Sequence, residues 1–262
     1  IFRSRRDALL AKNVYRSIPA LSVEGRHGKD QWNVFYLRLI HYDDHADLLQ
    51  TESGPTLLRV YEAKAMHQFD HRWSDISRAE ADEDKLSSSV VDHRDPARFV
   101  QPRYWLDRSD FDAIIAKYEY QRPWLLGYRD ITNVTNERTA IASAIPYGPA
   151  SVNMPVLGFS DPKPGVILLA VLNSFALDYF ARQAIGGSHL TFGVVKQLPF
   201  PAPSRFESIA EWSSLSLSNW ITMRAVELSY TAWDLEGFAT DLGYHGPPFK
   251  WNPARRELLR AE

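Results

Sequence analysis

Apolar and polar positions change period several times along this chain, and each change marks an element. Residues 4–16 carry the helix formers Ala8, Leu9 and Lys12 behind a serine, Ser4, that can cap them, which predicts a short helix. Between Asn33 and His41 the period drops to two. Phe35, Leu37 and Leu39 fall on one side and Tyr36, Arg38 and Ile40 on the other, the alternation of a strand. Residues 57–62 read as a second short strand, 111–119 as a helix beginning after Ser109 or Asp110, and 139–145 as a strand stopped by Pro146. Residues 73–95 are charged, contain serines and show little period, so an exposed loop is expected there.

Glycine and proline punctuate 147–165, which predicts an irregular crossing. From 166 to 183 the chain is apolar on most sides, with one polar stripe of Ser174, Asp178 and Arg182. Asp178 precedes Arg182 by one turn, the favourable order for a helical ion pair, so a mostly buried helix is expected. After Gly186-Gly187, residues 188–195 alternate, with Leu190, Phe192 and Val194 toward a core and His189, Thr191 and Gly193 away from it, a further strand. Pro199, Pro201 and Pro203 give a stiff exit. Residues 206–236 repeat apolar side chains at helical spacing (Ile209, Trp212, Leu217, Trp220, Ile221, Leu228), enough for one or two helices. The expected fold class is α+β. A mixed-sheet domain with a buried helix occupies residues 1–203, and a helical extension occupies 204–262.

Composition narrows the chemistry. The 262 residues are 45% hydrophobic and 13% aromatic, enough for a real core. The absence of cysteine excludes disulfides, thiolate catalysis and cysteine-ligated zinc, and makes a cytoplasmic setting the expectation. The most apolar stretch, 166–176, is interrupted by Asn173 and Ser174 and falls short of the roughly 20 residues of a membrane span. A net charge of −2 argues against coating DNA by bulk charge, although Arg3, Arg5, Arg6, Lys12 and Arg16 form a local basic start. Ile1 opens without an initiator methionine and 253–260 begin a helix pattern without a stop signal, so a piece of a larger protein is expected.

Three polar clusters carry candidate chemistry. In the first, Tyr61-Glu62-Ala63-Lys64 is followed by His67-Gln68-Phe69-Asp70-His71-Arg72. His67, Asp70 and His71 at i, i+3 and i+4 would share a helical face, as a metal-dependent nuclease or hydrolase would use them. Zinc asks for a further ligand, and no glutamate-containing zinc motif surrounds them. A buried, mutually paired network fits better. A third reading is base contact, with Gln68 suited to adenine and Lys64 or Arg72 to guanine. The second cluster sets Arg129 and Arg138 beside Asp130 and Glu137, with Asn133 and Asn136 between. It is either a turn with internal ion pairs or a presentation of arginines to phosphates and base edges. The third is Gly186-Gly187, a turn without the spacing of a nucleotide-phosphate loop, with His189 and Thr191 at its rim. Gly246-Pro247-Pro248-Phe249 looks like the catalytic motif of amino-methyltransferases, but a glycine in the first place has no side chain to hold the target amino group. No catalytic residue and no metal ligand are assigned.

Phe2-Arg3-Ser4-Arg5-Arg6-Asp7, residues 61–72, Arg103-Tyr104-Trp105, residues 127–139, residues 172–199 and Thr231-Ala232-Trp233-Asp234-Leu235 carry a resemblance. Together they resemble the C-terminal region of large adenine-specific DNA methyltransferases, of the type IIG restriction-modification and DISARM or BREX phage-defence kind. The unit running from Leu172-Asn173-Ser174-Phe175 through Gly186-Gly187-Ser188-His189-Leu190 to Lys196-Gln197-Leu198-Pro199 also resembles type I specificity subunits. The resemblance implies a module that recognises double-stranded DNA and performs no chemistry itself. It also implies a methyltransferase domain of the same polypeptide that uses S-adenosylmethionine, and other defence subunits as partners. With the clusters above, it makes Lys64, His67, Gln68, His71, Arg72, Arg129, Asn133, Asn136, Arg138, Gly186, Gly187, His189 and Thr191 the expected DNA contacts. The remaining alternatives are the metal-dependent hydrolase and a protein-docking module using Trp220 and Trp233, whose plainer role is core packing.

Overall fold

The computed structural model describes residues 4–22, 32–79 and 82–262, with backbone alone for strand residues 77–79 and 82–88. It is an α+β fold. Helix α1 (Arg5–Ser17) begins as the sequence predicts, with the Ser4 side chain accepting from the Asp7 amide. Strand β1 (Phe35–Leu37) is shorter than its alternation suggested and leads into the single turn α2 (Tyr42–His45). Strand β2 (Leu57–Arg59) comes next.

Residues 73–95 are not the expected loop. They form a hairpin of β3 (Ser74–Ala79) and β4 (Asp82–Val90), with Ile76 opposite Ser88. Ile76 and, just beyond the hairpin, Val91 are buried. The other positions are mostly serine or charged, with Ala79, Leu86 and Val90 too widely spaced for an apolar alternation to announce the strands. Their pairing satisfies backbone groups all the same.

Strand β5 (Trp105–Asp107) pairs antiparallel with β2, and Asp107 caps α3 (Arg108–Ala116) by accepting from the Ser109 amide at 2.9 Å. The helix therefore starts slightly before Ser109. Strands β6 (Trp124–Tyr128), β7 (Ala142–Pro146) and β8 (Val156–Gly158) complete a four-stranded sheet in the order β1-β8-β6-β7, antiparallel at every strand pair rather than mixed as expected. Strand β6 is buried along its whole length, so its Trp-Leu-Leu-Gly-Tyr run has no polar face to betray it.

The single helix expected over 166–183 is two helices, α4 (Pro162–Asn173) and α5 (Phe175–Ala184), with axes bent by 68°. Ser174 makes the break. Its backbone is extended, its hydroxyl donates to the Val171 carbonyl at 2.8 Å and accepts from the Leu177 amide, closing one helix and capping the next. The Asp178–Arg182 pair forms as expected, at 2.8 Å. No single helix among the described residues is long and apolar enough to cross a membrane.

The strand expected over 188–195 is also overturned. Thr191 caps a one-turn helix, α6 (Phe192–Val195), by accepting from the Val194 amide. Leu190 and Val195 take the buried positions, and Phe192 and Val194 are half-buried. Phe192 stacks on Tyr36 with ring centroids 5.0 Å apart. Half burial should roughly halve the ~3–5 kcal/mol cost of a core Phe→Ala change. Phe192→Ala is thus predicted to lower unfolding stability by about 2 kcal/mol in urea titration.

Within 206–236 the long helix is α7 (Leu217–Ser229), and Ile209 and Trp212 lie in exposed turns before it. Helices α8 (Glu236–Asp241) and α9 (Pro253–Ala261) follow. Helix α4 packs between α7 and β7. Phe206, Leu228, Phe238 and Leu259 share one core with the sheet, and the fully buried Trp124 sits against Phe159 and Phe238 at 4.6 and 4.8 Å.

Candidate nucleic-acid interface

The loop 131–139 between β6 and β7 is built by helix α5 beneath it. Asp178 is buried, and its Oδ1 accepts from the Thr139 and Ala140 amides at 2.6 and 2.8 Å. Its Oδ2 accepts from Arg182 Nε at 2.8 Å. The rest of the Arg182 guanidinium donates to the carbonyls of Val134, Asn136 and Glu137. Within the loop, Asn133 Oδ1 accepts from the Thr135 amide and hydroxyl, and the Thr132 hydroxyl donates to the Thr139 carbonyl. Every one of these bonds fixes the loop from inside or below, and Asn133 and Asn136 remain exposed.

Residues 186–191 lie alongside that loop. The Thr132 amide donates to the Ser188 carbonyl at 2.9 Å, the Leu190 amide donates to the Asp130 carbonyl at 2.7 Å, and Ile131 bridges His189. His189 Nδ1 meets Asp130 Oδ2 at 2.7 Å while the imidazole stays exposed. Buried Leu190 anchors the segment, and Gly186, Gly187 and Thr191 are exposed. Neither glycine adopts a left-handed backbone, and an added Cβ at either would meet nothing within 4 Å. Neither position therefore requires a glycine's conformational freedom. What they supply is an uncovered stretch of backbone.

The first cluster divides. Lys64 is exposed on a 3-10 turn, Ala63–Ala65. Residues 67–70 form a tight bridge, with Phe69 at φ 56°, rather than a helix. His67, Asp70 and His71 consequently point to different partners. Asp70 Oδ2 meets His93 Nε2 at 2.9 Å, His71 Nε2 meets Asp234 Oδ1 at 2.7 Å, and His67 packs on Trp73 with centroids 4.7 Å apart. Among the described residues no group of three His, Asp or Glu side chains is arranged to hold a metal ion. The shared helical face behind the metal reading is not there.

Gln68 and Arg72 are interior as well. Gln68 Nε2 donates to the Asn173 carbonyl at 3.2 Å. Arg72 Nη1 donates to the carbonyls of Asp95 and Arg98, and Nη2 to those of His93 and Thr231. Arg129 grips the Met66 carbonyl, and buried Arg138 donates to the Asn173 carbonyl while covering the Phe175 ring at 4.3 Å. Gln68, His71, Arg72 and Arg138 thus hold the fold together in this structure, and Arg129 is partly committed to it. Lys64, Asn133, Asn136, Gly186, Gly187, His189 and Thr191 face outward, and His67 is half-buried. Of the two docking candidates, Trp233 is exposed and Trp220 is half-buried beneath Arg224, 3.5 Å from its ring. Phe249, the aromatic of the methyltransferase lookalike, is stacked on Tyr244 at 4.8 Å.

Burial, helped by the nearby Arg129 charge, lowers the His67 pKa to about 4 from an ordinary 6.5. Between these values the unfolded chain binds more protons than the folded one. The contribution to stability is whole above the ordinary value, falls with pH, and declines no further below about 4. His67→Gln is predicted to flatten that part of the profile, read from thermal midpoints between about pH 7 and pH 4.5. Burial works against the carboxylates of Asp70 and Asp234. The hydrogen bond from His93 to the first and the charge of His71 beside the second outweigh it, holding both below the ordinary 3.8. Their contribution is complete above 3.8 and is lost as pH falls through the lowered values.

No family model matches the chain, and no curated protein matches it either.

Proposed function

We propose that this chain is the sequence-specific, double-stranded DNA recognition module of an adenine-N6 DNA methyltransferase of a restriction-modification or phage-defence system. The reading rests on the resemblance of residues 61–72 and 172–199. The observation that carries it physically is the pairing of loop 131–139 with segment 186–191. Two stretches about fifty residues apart are locked together by backbone bonds and present mainly polar groups to the outside. Asn136 offers a side-chain amide of the kind that pairs with adenine in the major groove, and Asn133, whose Oδ1 is held by Thr135 within the loop, offers its Nδ2 as a donor, whereas exposed backbone at Gly186-Gly187 and the Lys64 ammonium suit phosphates. In this proposal S-adenosylmethionine and the methyl transfer belong to a methyltransferase domain of the same polypeptide. Other defence subunits are further partners, and the setting is cytoplasmic.

A formal charge of −2 sets the expected strength. The chain should bind duplex DNA weakly and with a steep salt dependence, because phosphate contacts supply most non-specific affinity. Lys64→Ala is predicted to weaken binding equally on all sequences and to reduce the salt slope by about one charge. Replacing Asn133 and Asn136 together with Ala should instead erase sequence preference, by about 1–3 kcal/mol of discrimination for each base that an asparagine reads. Mobility shifts on a randomised duplex pool, sequenced from bound and free fractions, separate the two effects. A pool left unsorted by the unaltered chain and by a larger polypeptide containing it would defeat the proposal.

A further inference from the structure

His189 and Asp130 are held against each other by backbone as well as by side chains. The Asp130 carbonyl accepts from the Leu190 amide at 2.7 Å, and the Asp130 amide donates to the Asn153 carbonyl at 3.2 Å. Ile131 and His189 form an antiparallel bridge. On this frame His189 Nδ1 lies 2.7 Å from Asp130 Oδ2. Asp130 Oδ1 is buried and unpaired, so among the described residues the imidazole is the only group bonded to this carboxylate. A carboxylate can only accept, so the proton of the neutral ring sits on Nδ1 and Nε2 is left with a lone pair. The imidazole is 53% exposed and the carboxylate 16%, which puts the ring edge carrying Nε2 on the solvent side. Among the described residues no group bonds to Nε2.

We propose that Asp130 fixes His189 as a hydrogen-bond acceptor and that His189 thereby selects a base bearing an exocyclic amino group, a proposal that rests on the DNA-recognition reading of segment 186–191. The phosphate and deoxyribose oxygens of a duplex only accept hydrogen bonds. The donors within reach of a protein are the amino groups, adenine N6 and cytosine N4 in the major groove and guanine N2 in the minor groove. A neutral His189 can therefore bond a duplex directly at those groups alone. Asn136, on the same surface, suits the major groove, so adenine N6 or cytosine N4 is the partner. Guanine O6 and N7 and thymine O4 would set lone pairs against the Nε2 lone pair there. Asp130 is a positioning residue in this scheme. It touches no base and acts through the tautomer and orientation of the ring.

The imidazole nitrogen resonances of the whole chain, isotope-labelled at histidine and held at about pH 8, show which ring atom carries the proton. His189 should carry it on Nδ1, whereas histidine in water favours Nε2. Asp130→Ala removes the acceptor and should return the proton to Nε2, with an unchanged circular dichroism spectrum. The same proteins are then sorted against the randomised duplex pool. The unaltered chain should favour adenine or cytosine at one position by at least about fivefold, as one hydrogen bond would. His189→Ala should erase that preference and keep those due to Asn133 and Asn136. Asp130→Ala should erase it as well, although the histidine is still present. A proton on Nε2 in the unaltered chain would overturn the proposal. So would a His189→Ala variant that sorts the pool unchanged, that loses a preference for guanine or thymine, or that binds all sequences equally less, as loss of a phosphate contact would. An unaltered preference in folded Asp130→Ala would overturn it too. Each of these results leaves sorting through Asn133 and Asn136 standing, whereas a pool that no form of the chain sorts ends both readings.

Discussion

Arg72→Ala is expected to cost about 3–5 kcal/mol of folding stability, the range for removing one partner of a buried charged network. Arg72 is fully buried, and its two terminal nitrogens bind four carbonyls, those of Asp95, Arg98, His93 and Thr231. These lie on the stretch following the β3–β4 hairpin and on the turn after α7, so one side chain ties two distant segments to the 66–72 stretch. Alanine would leave four acceptors and a guanidinium-sized void behind. Lysine should rescue little, because a single ammonium cannot reproduce the planar fork that reaches all four. Denaturant unfolding of the alanine and lysine variants checks this. A loss below about 1 kcal/mol in the alanine variant would mean that these carbonyls find other donors.

Asp178→Ala should be comparably damaging, about 3–5 kcal/mol, and should reach function as well. It would strand the buried amides of Thr139 and Ala140 and release Arg182, whose guanidinium holds three carbonyls of loop 131–139. Asp178→Asn retains one acceptor oxygen and should fall between. The folded fraction of each variant is predicted to lose duplex affinity in step with the loosening of the loop. Stability and duplex binding measured on the same samples distinguish this from a purely structural role, which would lower the first and spare the second.

The fold class was legible in the sequence through period. The capped helix at Ser4, the strand ending at Pro146 and the Asp178–Arg182 pair all stand where local signals place them. Elements without a local signal stayed hidden. Strand β6 is apolar on both faces and the β3–β4 hairpin is mostly polar, so neither alternates. Ser174 was visible as part of a polar stripe, but a serine that both ends one helix and caps the next looks the same in sequence as one lying along a single helix. In residues 188–195 the apolar alternation was real, yet the Thr191 cap and the burial of Val195 favoured a helical turn.

The site was legible as clusters rather than as roles. Gln68, His71, Arg72 and Arg138 have the hydrogen-bonding chemistry of base readers, and that same chemistry lets them bind carbonyls and a carboxylate in the interior. Burial separates the two uses, and burial of a polar side chain depends on elements distant in the chain, such as Asp234 for His71. Asp178 was legible as the partner of Arg182, but not as the acceptor for amides 38 and 39 residues away, which no local pattern shows.

If loop 131–139 and segment 186–191 form one DNA-facing surface, their amides should respond together when duplex DNA is added at low salt. Chemical-shift mapping of the whole chain reads this residue by residue. The largest shifts are expected on Asn133, Asn136, Gly186, Gly187 and His189, with Lys64 beside them. Shifts gathered instead around Trp212, Trp220 and Arg224, with those residues unmoved, would place the DNA on another face and end the proposal.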